Sequence, residues 1–341
     1  MKGYEERNYL IDNLKVILIL MVVFGHVIEH YIESSALLRG IYIFIYLFHM
    51  PLFVFISGYL SKNVEKCRMG IVKNLLIPYL LFSFLWYAIA SIWSGKFIFS
   101  LFNPGWTLWY LISLFIWRLL IKYLVKIKYI LIISIAVALI ISIIPNSYSL
   151  GFILRTVTFL PYFLIGYFTK ESDLDYVKFI DKGFIFVAVG LFGAMSYFIT
   201  TNNILNYKFF YNSQSYYDTG LNAVEGMKFR LLLYIVSIIL GICIINITAN
   251  SKRFFTSIGR STMDIYLFHI YLVILIYGII PKWNMGIIRN IILITSPLLI
   301  TYILSRREVN NIYNKIFNPI NEVIYPRVLL MLKKLKALVI G

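Results

Sequence analysis

Long apolar runs separated by short polar segments make up most of the chain. A bilayer core is about 30 Å thick, so about 20 apolar residues are enough to cross it as a helix. Windows of that length predict ten spans, near residues 10–31, 39–61, 72–93, 106–121, 128–145, 152–169, 183–201, 229–248, 261–281 and 286–305. The pattern therefore predicts an all-α integral membrane protein with about ten transmembrane helices.

The distribution of Lys and Arg supports this count, because positive residues concentrate on the cytoplasmic side of a membrane protein. With the N-terminus in the cytoplasm, the inside loops hold fourteen Lys and Arg residues, whereas the outside loops and their flanks hold eight. The segment after the last span adds seven more on the inside. We expect cytoplasmic termini and a multi-pass location in a cell membrane, most simply a bacterial plasma membrane.

The composition agrees with this class and narrows the chemistry. Of 341 residues, 60% are hydrophobic and 14% are charged, and the mean hydropathy is +0.82. In so apolar a chain, the net charge of +17 indicates cytoplasmic anchoring rather than nucleic-acid binding. Two cysteines without a CxxC pattern do not support a disulfide framework. Four histidines without an HExxH pattern argue against a zinc site, so we expect no metal.

No soluble domain is predicted between the spans. Residues 1–307 are expected to form one membrane domain, and residues 308–341 a cytoplasmic tail. The end of the tail, from Arg327, is too short and too basic to span a bilayer. A basic amphipathic helix on the inner membrane face is the simplest interpretation.

The longest connection, about residues 201 to 228, is predicted to lie outside. It holds four tyrosines among Asn, Ser and Gln: Tyr207, Tyr211, Tyr216 and Tyr217. Long loops in compact proteins are often functional, and such rings suit stacking on sugars. The alternative is an interfacial aromatic belt, which a membrane protein needs in any case.

The first span carries more ionisable groups than a membrane helix usually tolerates, since each costs about 2.5–3.5 kcal/mol at mid-membrane. They are Asp12, Lys15, His26, Glu29 and His30. The eleven-residue step from Lys15 to His26 returns to within about 20° of the same helix face, roughly 16 Å further along the axis. Glu29 and His30 lie beside that face.

His26 is the leading catalytic candidate among these groups. A neutral imidazole in a partly dry cavity, oriented by the carboxylate of Glu29, can accept a proton from a hydroxyl. The alternative is a packing histidine. Lys15, next to Asp12 near the cytoplasmic surface, either meets a phosphate or thioester of a donor or snorkels as an ordinary topogenic lysine.

The second span adds a further histidine and a break. Pro51 interrupts the helical hydrogen bonds just after His49, and broken helices at membrane depth are tolerated where they line a cavity. His49 is therefore a site candidate. Ser57 is either a cavity residue or, with Gly58, a small-residue contact between helices.

Later spans contribute candidate site residues near both faces of the membrane. Arg68 and Lys73, at the start of the third span, fit phosphate contacts of a nucleotide-bearing cofactor, although positive-inside anchoring explains them equally well. Near the predicted outer ends lie Trp106 and Trp109, which share a helix face, and Arg155, which topology does not require. His269 is a further histidine within a predicted span.

These segments together resemble a known family. The Lys15-x10-His26 spacing after Asp12 and the stretches FHMPLFVFISGYL, KNLLIPY, WTLWYL, LPYFLIGYF and GRSTMDIYLFH occur in the order typical of the membrane-bound acyltransferase three family, nearest to its fucose 4-O-acetylase-like branch. The resemblance covers roughly residues 8–305. One motif departs: Asn74 stands where many relatives have a basic residue.

The resemblance implies a ten-helix fold that takes an acyl group, usually acetyl from cytoplasmic acetyl-CoA, to a sugar hydroxyl outside. It assigns the family's basic-residue-x10-His motif to Lys15 and His26. On this hypothesis His26 is a general base or a transient acyl carrier, oriented by Glu29. Asp12, Lys15, Arg68 and Lys73 face the donor. His49, Ser57, Trp106, Trp109, Arg155 and His269 shape the cavity for a glycan or glycolipid-linked acceptor.

The alternative from another class is a polysaccharide exporter or small-solute transporter that uses the same charged helix as a permeation path. Transporters often contain inverted repeats with broken helices in matching halves. Pro51 and Pro78 have no convincing counterparts of that kind. The sequence leaves open the acceptor sugar, the acyl chain and the oligomeric state.

Overall fold

The chain folds into a bundle of helices, and the residues that the structure describes contain no strand. The computed structural model describes residues 8–100, 103–145, 151–280 and 286–340. Its α-helices are α1 (Tyr9–Glu29), α2 (Ala36–Tyr59), α3 (Val64–Ile71), α4 (Ile77–Ser94), α5 (Trp109–Leu124), α6 (Ile130–Ile141), α7 (Gly151–Phe168), α8 (Glu171–Val177), α9 (Lys182–Thr201), α10 (Ala223–Ile247), α11 (Thr262–Ile279), α12 (Gly286–Leu304) and α13 (Arg307–Ile340).

Each of the ten predicted spans coincides with a helix, with ends shifted by a few residues in most cases. Within the described ranges, eight helical segments are long and apolar enough to cross a membrane by length and composition. The fourth and fifth predicted spans form α5 and α6, which have only 16 and 12 residues. Over the residues that the structure describes, the chain is an all-α, multi-pass membrane protein with eight candidate spans. The count of ten and the side of the termini stay predictions.

The third span is longer than its apolar pattern indicated, because α3 and α4 form one continuous segment. They are joined by a π-helical turn, Val72–Leu76. Pro78 explains this turn: proline has no N–H to donate, and its ring crowds the carbonyl four residues earlier. Ile77 N–H accordingly bonds to Val72 O, five residues back. Lys73 therefore lies within a helix and not in a loop.

Helix α1 is held from several sides and packs against α2, α11 and α12. Its N-terminal end is fixed by the connection between α10 and α11. There Asn13 Nδ2 donates to the carbonyls of Ala249 and Ser251 at 2.8 and 3.0 Å. Its Oδ1 accepts from the hydroxyl of Thr256 at 2.6 Å. The N-terminal end of α1 is therefore held firmly against this connection.

Helices α2 and α7 approach each other closely, and two glycines allow it. A Cβ on Gly58 would overlap the carbonyl of Phe163, and a Cβ on Gly166 would overlap the carbonyl of Phe55. The small-residue contact considered for Gly58 is therefore confirmed. This contact sets the position of α7, which carries Arg155, relative to α2.

The long connection between α9 and α10 folds back onto the bundle, beginning with a 3₁₀ turn, Tyr207–Tyr211. Phe209 and Tyr216 are buried. The buried guanidinium of Arg230 in α10 lies 4.5 Å from the ring centroid of Phe209 and donates to Asn212 Oδ1. A loop packed by its own side chains behaves as part of the domain rather than as a free linker.

The tail forms the long helix α13, and its first part packs on the bundle. Phe317 is 3% exposed and stacks on Tyr313 and on Phe82 of α4, with ring centroids 4.1 and 5.7 Å away. Asn310 Nδ2 donates to Asp264 Oδ2 of α11 at 2.8 Å. The tail is thus docked on the helices. Its predicted place on the inner membrane face stays a prediction, and the side chains of 331–340 lie outside those described.

Candidate active site

A cavity of about 120 Å³ lies beside the C-terminal end of α1. It is lined by side chains from α1, α2, α5, α7 and α11, from the segment before α5 and from the loop between α9 and α10. The cavity brings together six residues that the sequence singled out, which are His26, Glu29, His49, Trp106, Trp109 and Arg155. Residues far apart in the chain thus converge on one small space.

The central pair is His26 and Glu29, three residues apart on α1. His26 Nδ1 lies 3.0 Å from Glu29 Oε2, and the two side chains are 14% and 19% exposed. A carboxylate accepts hydrogen bonds, so this contact suits the His26 tautomer that carries its proton on Nδ1. Nε2 is then the nitrogen with a free lone pair, as a general base at the cavity requires.

The ring of His26 is fixed by aromatic neighbours. Trp106 meets it edge-on, with ring centroids 5.5 Å apart. The carbonyl of His26 lies in the last turn of α1, where intrahelical donors run out, and the hydroxyl of Tyr277 in α11 donates to it. Both the backbone and the imidazole of this residue are therefore held in place.

Two further histidines flank His26. His49 Nδ1 donates to the carbonyl of Ile45 at 2.7 Å, and His269 Nδ1 donates to that of Tyr266 at 2.8 Å. Carbonyl oxygens only accept, so each neutral ring carries its proton on Nδ1 and leaves Nε2 as a hydrogen-bond acceptor. His49 lines the cavity. His269 lies behind His26, with ring centroids 5.4 Å apart, and its buried Nε2 has no hydrogen-bond partner.

A larger cavity of about 530 Å³, here called the vestibule, adjoins the first. Four residues line both cavities: Trp106, Trp109, Arg155 and Tyr211. The guanidinium carbon of Arg155 lies 5.0 Å from the Trp109 ring centroid, and its Nε donates to the carbonyl of Tyr211 at 2.9 Å. Asn103, Asn206, Lys208 and Gln214 add polar groups to the vestibule wall.

Ser57 lies outside both cavities. Its Oγ donates to the carbonyl of Phe53 at 3.0 Å and lies 2.5 Å from the hydroxyl of Tyr110, whose proton it can accept. Tyr110 belongs to α5, so Ser57 joins α2 to α5. Of the two roles that the sequence allowed for Ser57, the structure thus favours a contact between helices over a place in the cavity wall.

The predicted donor-facing residues lie away from the cavity and are not gathered into one site. Lys15 Nζ pairs with Asp12 Oδ1 at 2.9 Å on α1. Arg68 lies over the ring of Tyr123, its guanidinium carbon 6.0 Å from the centroid, and Lys73 is exposed. Within the described part of the chain, none of these four charged residues lines the cavity or the vestibule.

Sequence reasoning missed several tyrosines at the site. Tyr46 lines the cavity, and it lies three residues before His49, so helical spacing contained the signal. Tyr211 was named only as one of four loop tyrosines. Tyr277 carried no local signal, because its contact with His26 spans 251 residues of sequence.

The described residues contain no group of three or more His, Cys, Asp and Glu placed to hold a metal ion. His26 instead bonds to a carboxylate, and His49 and His269 bond to main-chain carbonyls. The arrangement offers hydrogen-bond acceptors around a small cavity, a set suited to proton transfer.

Comparison with known proteins identifies the family. The family described as an acyltransferase domain, acyltransferase 3, matches residues 8–306. The nodulation protein NolL of Sinorhizobium fredii is 30% identical over 190 residues, half of each chain. NolL of Mesorhizobium japonicum is 34% identical over 98 residues, 26% of each chain.

The chain spans about half the length of the first of these curated relatives and about a quarter of the second. No solved structure matches it. The family match, by contrast, extends over nearly the whole helical bundle and includes every residue of the cavity. The chain belongs to the acyltransferase 3 family.

Proposed function

We propose that the protein is a membrane O-acyltransferase that moves an acetyl group from cytoplasmic acetyl-CoA to a hydroxyl of a cell-surface or exported polysaccharide. The observation that carries this proposal is the His26–Glu29 pair, 3.0 Å apart, in a cavity that shares four lining residues with the much larger vestibule. Membership of the acyltransferase 3 family supports acyl transfer as the reaction class.

The chemistry follows from the tautomer of His26. Nε2 takes the proton of the acceptor hydroxyl while the oxygen attacks the thioester carbon, and Glu29 stabilises the imidazolium that forms. The tetrahedral adduct collapses, the carbon–sulfur bond breaks, and the departing thiolate takes the proton back from Nε2. The products are the O-acetyl ester and free coenzyme A, with no net release of protons.

The two cavities differ in the size of molecule they can hold. A volume of about 530 Å³ falls within the usual range of small-molecule sites, roughly 300–1,000 Å³, whereas about 120 Å³ falls below it. The vestibule therefore suits the acceptor glycan, with Trp106 and Trp109 as stacking surfaces and amides as hydrogen-bond partners. The inner cavity suits only the reacting hydroxyl and the acyl group.

The donor would approach from the opposite end of α1. An extended pantetheine arm is of the order of the rise from Lys15 to His26, roughly 16 Å. Phosphates near Lys15, with Arg68 and Lys73 contributing positive charge, would place the thioester at His26. Donor and acceptor would then reach the same imidazole from opposite sides of the bilayer.

The test uses purified protein in lipid nanodiscs with acetyl-labelled acetyl-CoA and glycans extracted from cells that lack the gene. We expect label in the glycan fraction, and a loss of about a hundredfold or more for His26→Ala, since general bases typically contribute about 10²–10⁴. The control is Glu33→Gln, which neutralises a carboxylate that lines neither the inner cavity nor the vestibule. Mass spectrometry of surface glycans with and without the gene identifies the acetylated sugar.

Three results would contradict the proposal. One is a correctly inserted His26→Ala protein that still labels the glycan at the wild-type rate. Another is wild-type protein that never transfers label to glycan or hydrolyses the thioester. The third is glycan movement across proteoliposomes without turnover of acetyl-CoA, which would favour the exporter.

A further inference from the structure

Tyr211 occupies the junction between the inner cavity and the vestibule and lines both. It ends the 3₁₀ turn of the loop between α9 and α10. Its ring lies against two tyrosines of α2, with centroids 6.2 Å from Tyr42 and 5.6 Å from Tyr46. A residue of the predicted outer loop thus reaches the helix that carries His49.

The hydroxyl of Tyr211 contacts the carboxylate that orients His26. It donates to Glu29 Oε1 at 3.4 Å, while the hydroxyl of Tyr42 donates to it at 3.2 Å. The first bond is long, as catalytic hydrogen bonds often are before substrate binds. Burial, together with the nearby charge of Glu29, raises the pKa of Tyr211 far above its usual value, so the phenol stays protonated and can donate.

The two oxygens of Glu29 therefore have different partners. Oε2 accepts from His26 Nδ1 at 3.0 Å and Oε1 accepts from Tyr211. Glu29 is the last residue of α1, where the helix dipole disfavours a negative charge. A carboxylate in this place depends on its hydrogen-bond donors for both its charge and its orientation.

The backbone of Tyr211 is itself anchored. Arg155 Nε donates to its carbonyl at 2.9 Å. The next residue, Asn212, has φ 58° in the left-handed region that Asn tolerates, and Arg230 donates to its side chain. Two arginines from different helices therefore fix the turn that presents the phenol.

We propose that Tyr211 is a positioning residue that acts through Glu29 to keep His26 in its reactive orientation. This inference rests on the proposed acyl transfer, which it deepens by linking the vestibule loop to the base. The same side chain that separates acceptor space from the cavity completes the hydrogen bonding of the catalytic carboxylate. Acceptor binding and base alignment are thereby joined at one residue.

The structure offers a matched control for this inference. Tyr207, in the same turn, donates to Glu33 Oε1 at 3.2 Å, away from His26. Tyr207→Phe and Tyr211→Phe each remove one phenol–carboxylate hydrogen bond and keep the ring; Tyr42→Phe controls for the second bond that Tyr211→Phe removes, the one donated by Tyr42. Only Tyr211→Phe should affect catalysis.

The experiment uses nanodisc protein, acetyl-labelled acetyl-CoA and the extracted glycan as acceptor probe, with kcat and KM measured for each substrate. We expect Tyr211→Phe to lower kcat about tenfold, the effect of losing one hydrogen bond to a charged group, with both KM values within about twofold of wild type. In a Glu29→Gln background, Tyr211→Phe should cause no further loss. The unfolding midpoint of each variant shows that the fold is kept.

Each other outcome overturns the inference. An unchanged kcat for Tyr211→Phe means that the phenol does not support the base. A rise in acceptor KM alone makes Tyr211 a substrate contact, and a full additional loss in the Glu29→Gln background means that it does not act through Glu29. If wild-type protein transfers no acetyl group, the proposed function fails; if it does and Tyr211→Phe matches Tyr207→Phe, only this inference fails.

Discussion

The two ends of α1 carry side-chain pairs that look alike. Asp12 and Lys15 lie 2.9 Å apart near its start, and His26 and Glu29 lie 3.0 Å apart at its end. Both pairs have i,i+3 spacing, and all four side chains are 14–21% exposed. The second pair borders the inner cavity, whereas the first pair lines neither that cavity nor the vestibule.

The helix dipole separates the two pairs further. Asp12 lies in the first turn, where the dipole favours a carboxylate, while Glu29 ends the helix, where the dipole opposes one by about 0.3–1 kcal/mol. The first pair thus agrees with local stability and the second works against it. A local conflict that persists in a well-packed bundle is typical of a functional site.

The largest expected effect is at the unfavourable end. Glu29→Gln should lower kcat about a hundredfold, because an amide neither stabilises the imidazolium nor selects the Nδ1–H tautomer reliably. Stability should fall little or even rise, since a charge opposed by the dipole is removed. Transfer kinetics and the unfolding midpoint measure the two effects. If this variant keeps the wild-type kcat, Glu29 takes no part in catalysis, and the two ends of α1 do not differ in function.

The next effect concerns the acceptor side of the cavity. Trp109→Ala should raise acceptor KM about tenfold, since a stacking surface contributes up to about 1.5 kcal/mol, and donor KM should not change. Trp93→Ala is the matched control, because that indole is 87% exposed at the end of α4. Titration of each substrate separately distinguishes the two KM values. A rise in donor KM instead would reverse the assignment of the two sides.

A smaller effect is expected at the favourable end. Lys15→Met should raise donor KM about fivefold and leave acceptor KM alone, since a partly exposed charge contributes about 1 kcal/mol or less. Asp12→Asn breaks the same ion pair without removing the cation, so it separates donor contact from pairing. If both variants keep the wild-type donor KM, Lys15 is a snorkelling lysine.

The smallest effect is expected on the π-helical turn. Lys73→Met should change donor KM by no more than about twofold at physiological salt, because an exposed cation is well screened. Measuring donor KM at low and high salt amplifies the contribution of this charge. A change as large as that at Lys15 would place the donor phosphates at this turn.

The sequence singled out six of the residues that line the inner cavity, because its signals were local. The charged groups on α1 and the proline after His49 were visible at helical spacing. What the sequence could not separate was cavity lining from helix packing: Ser57 had the same surroundings in sequence as a site residue, yet it bonds to Tyr110 of another helix. A hydrophobic pattern shows that a helix face is buried, but it does not show which other helix covers that face.

The tail and the outer loop show the same limit. Their composition predicted an amphipathic helix and either a sugar-binding or an aromatic-belt loop. Packing decided that Phe317 stacks on Phe82 and that Tyr211 reaches Glu29. These contacts join segments 182 or more residues apart, and no local period encodes them.

By itself the sequence determined the all-helical membrane class, the common face of Lys15 and His26 and the family. These follow from apolar run length, the helical repeat and the order of short motifs, which are properties of neighbouring residues. Only the tertiary structure decided which polar groups share a cavity, which nitrogen of His26 lies against Glu29 and which tyrosine hydroxyl bonds to Glu29. Those depend on distances between helices, which are set when glycines, aromatic rings and buried hydrogen bonds pack against each other.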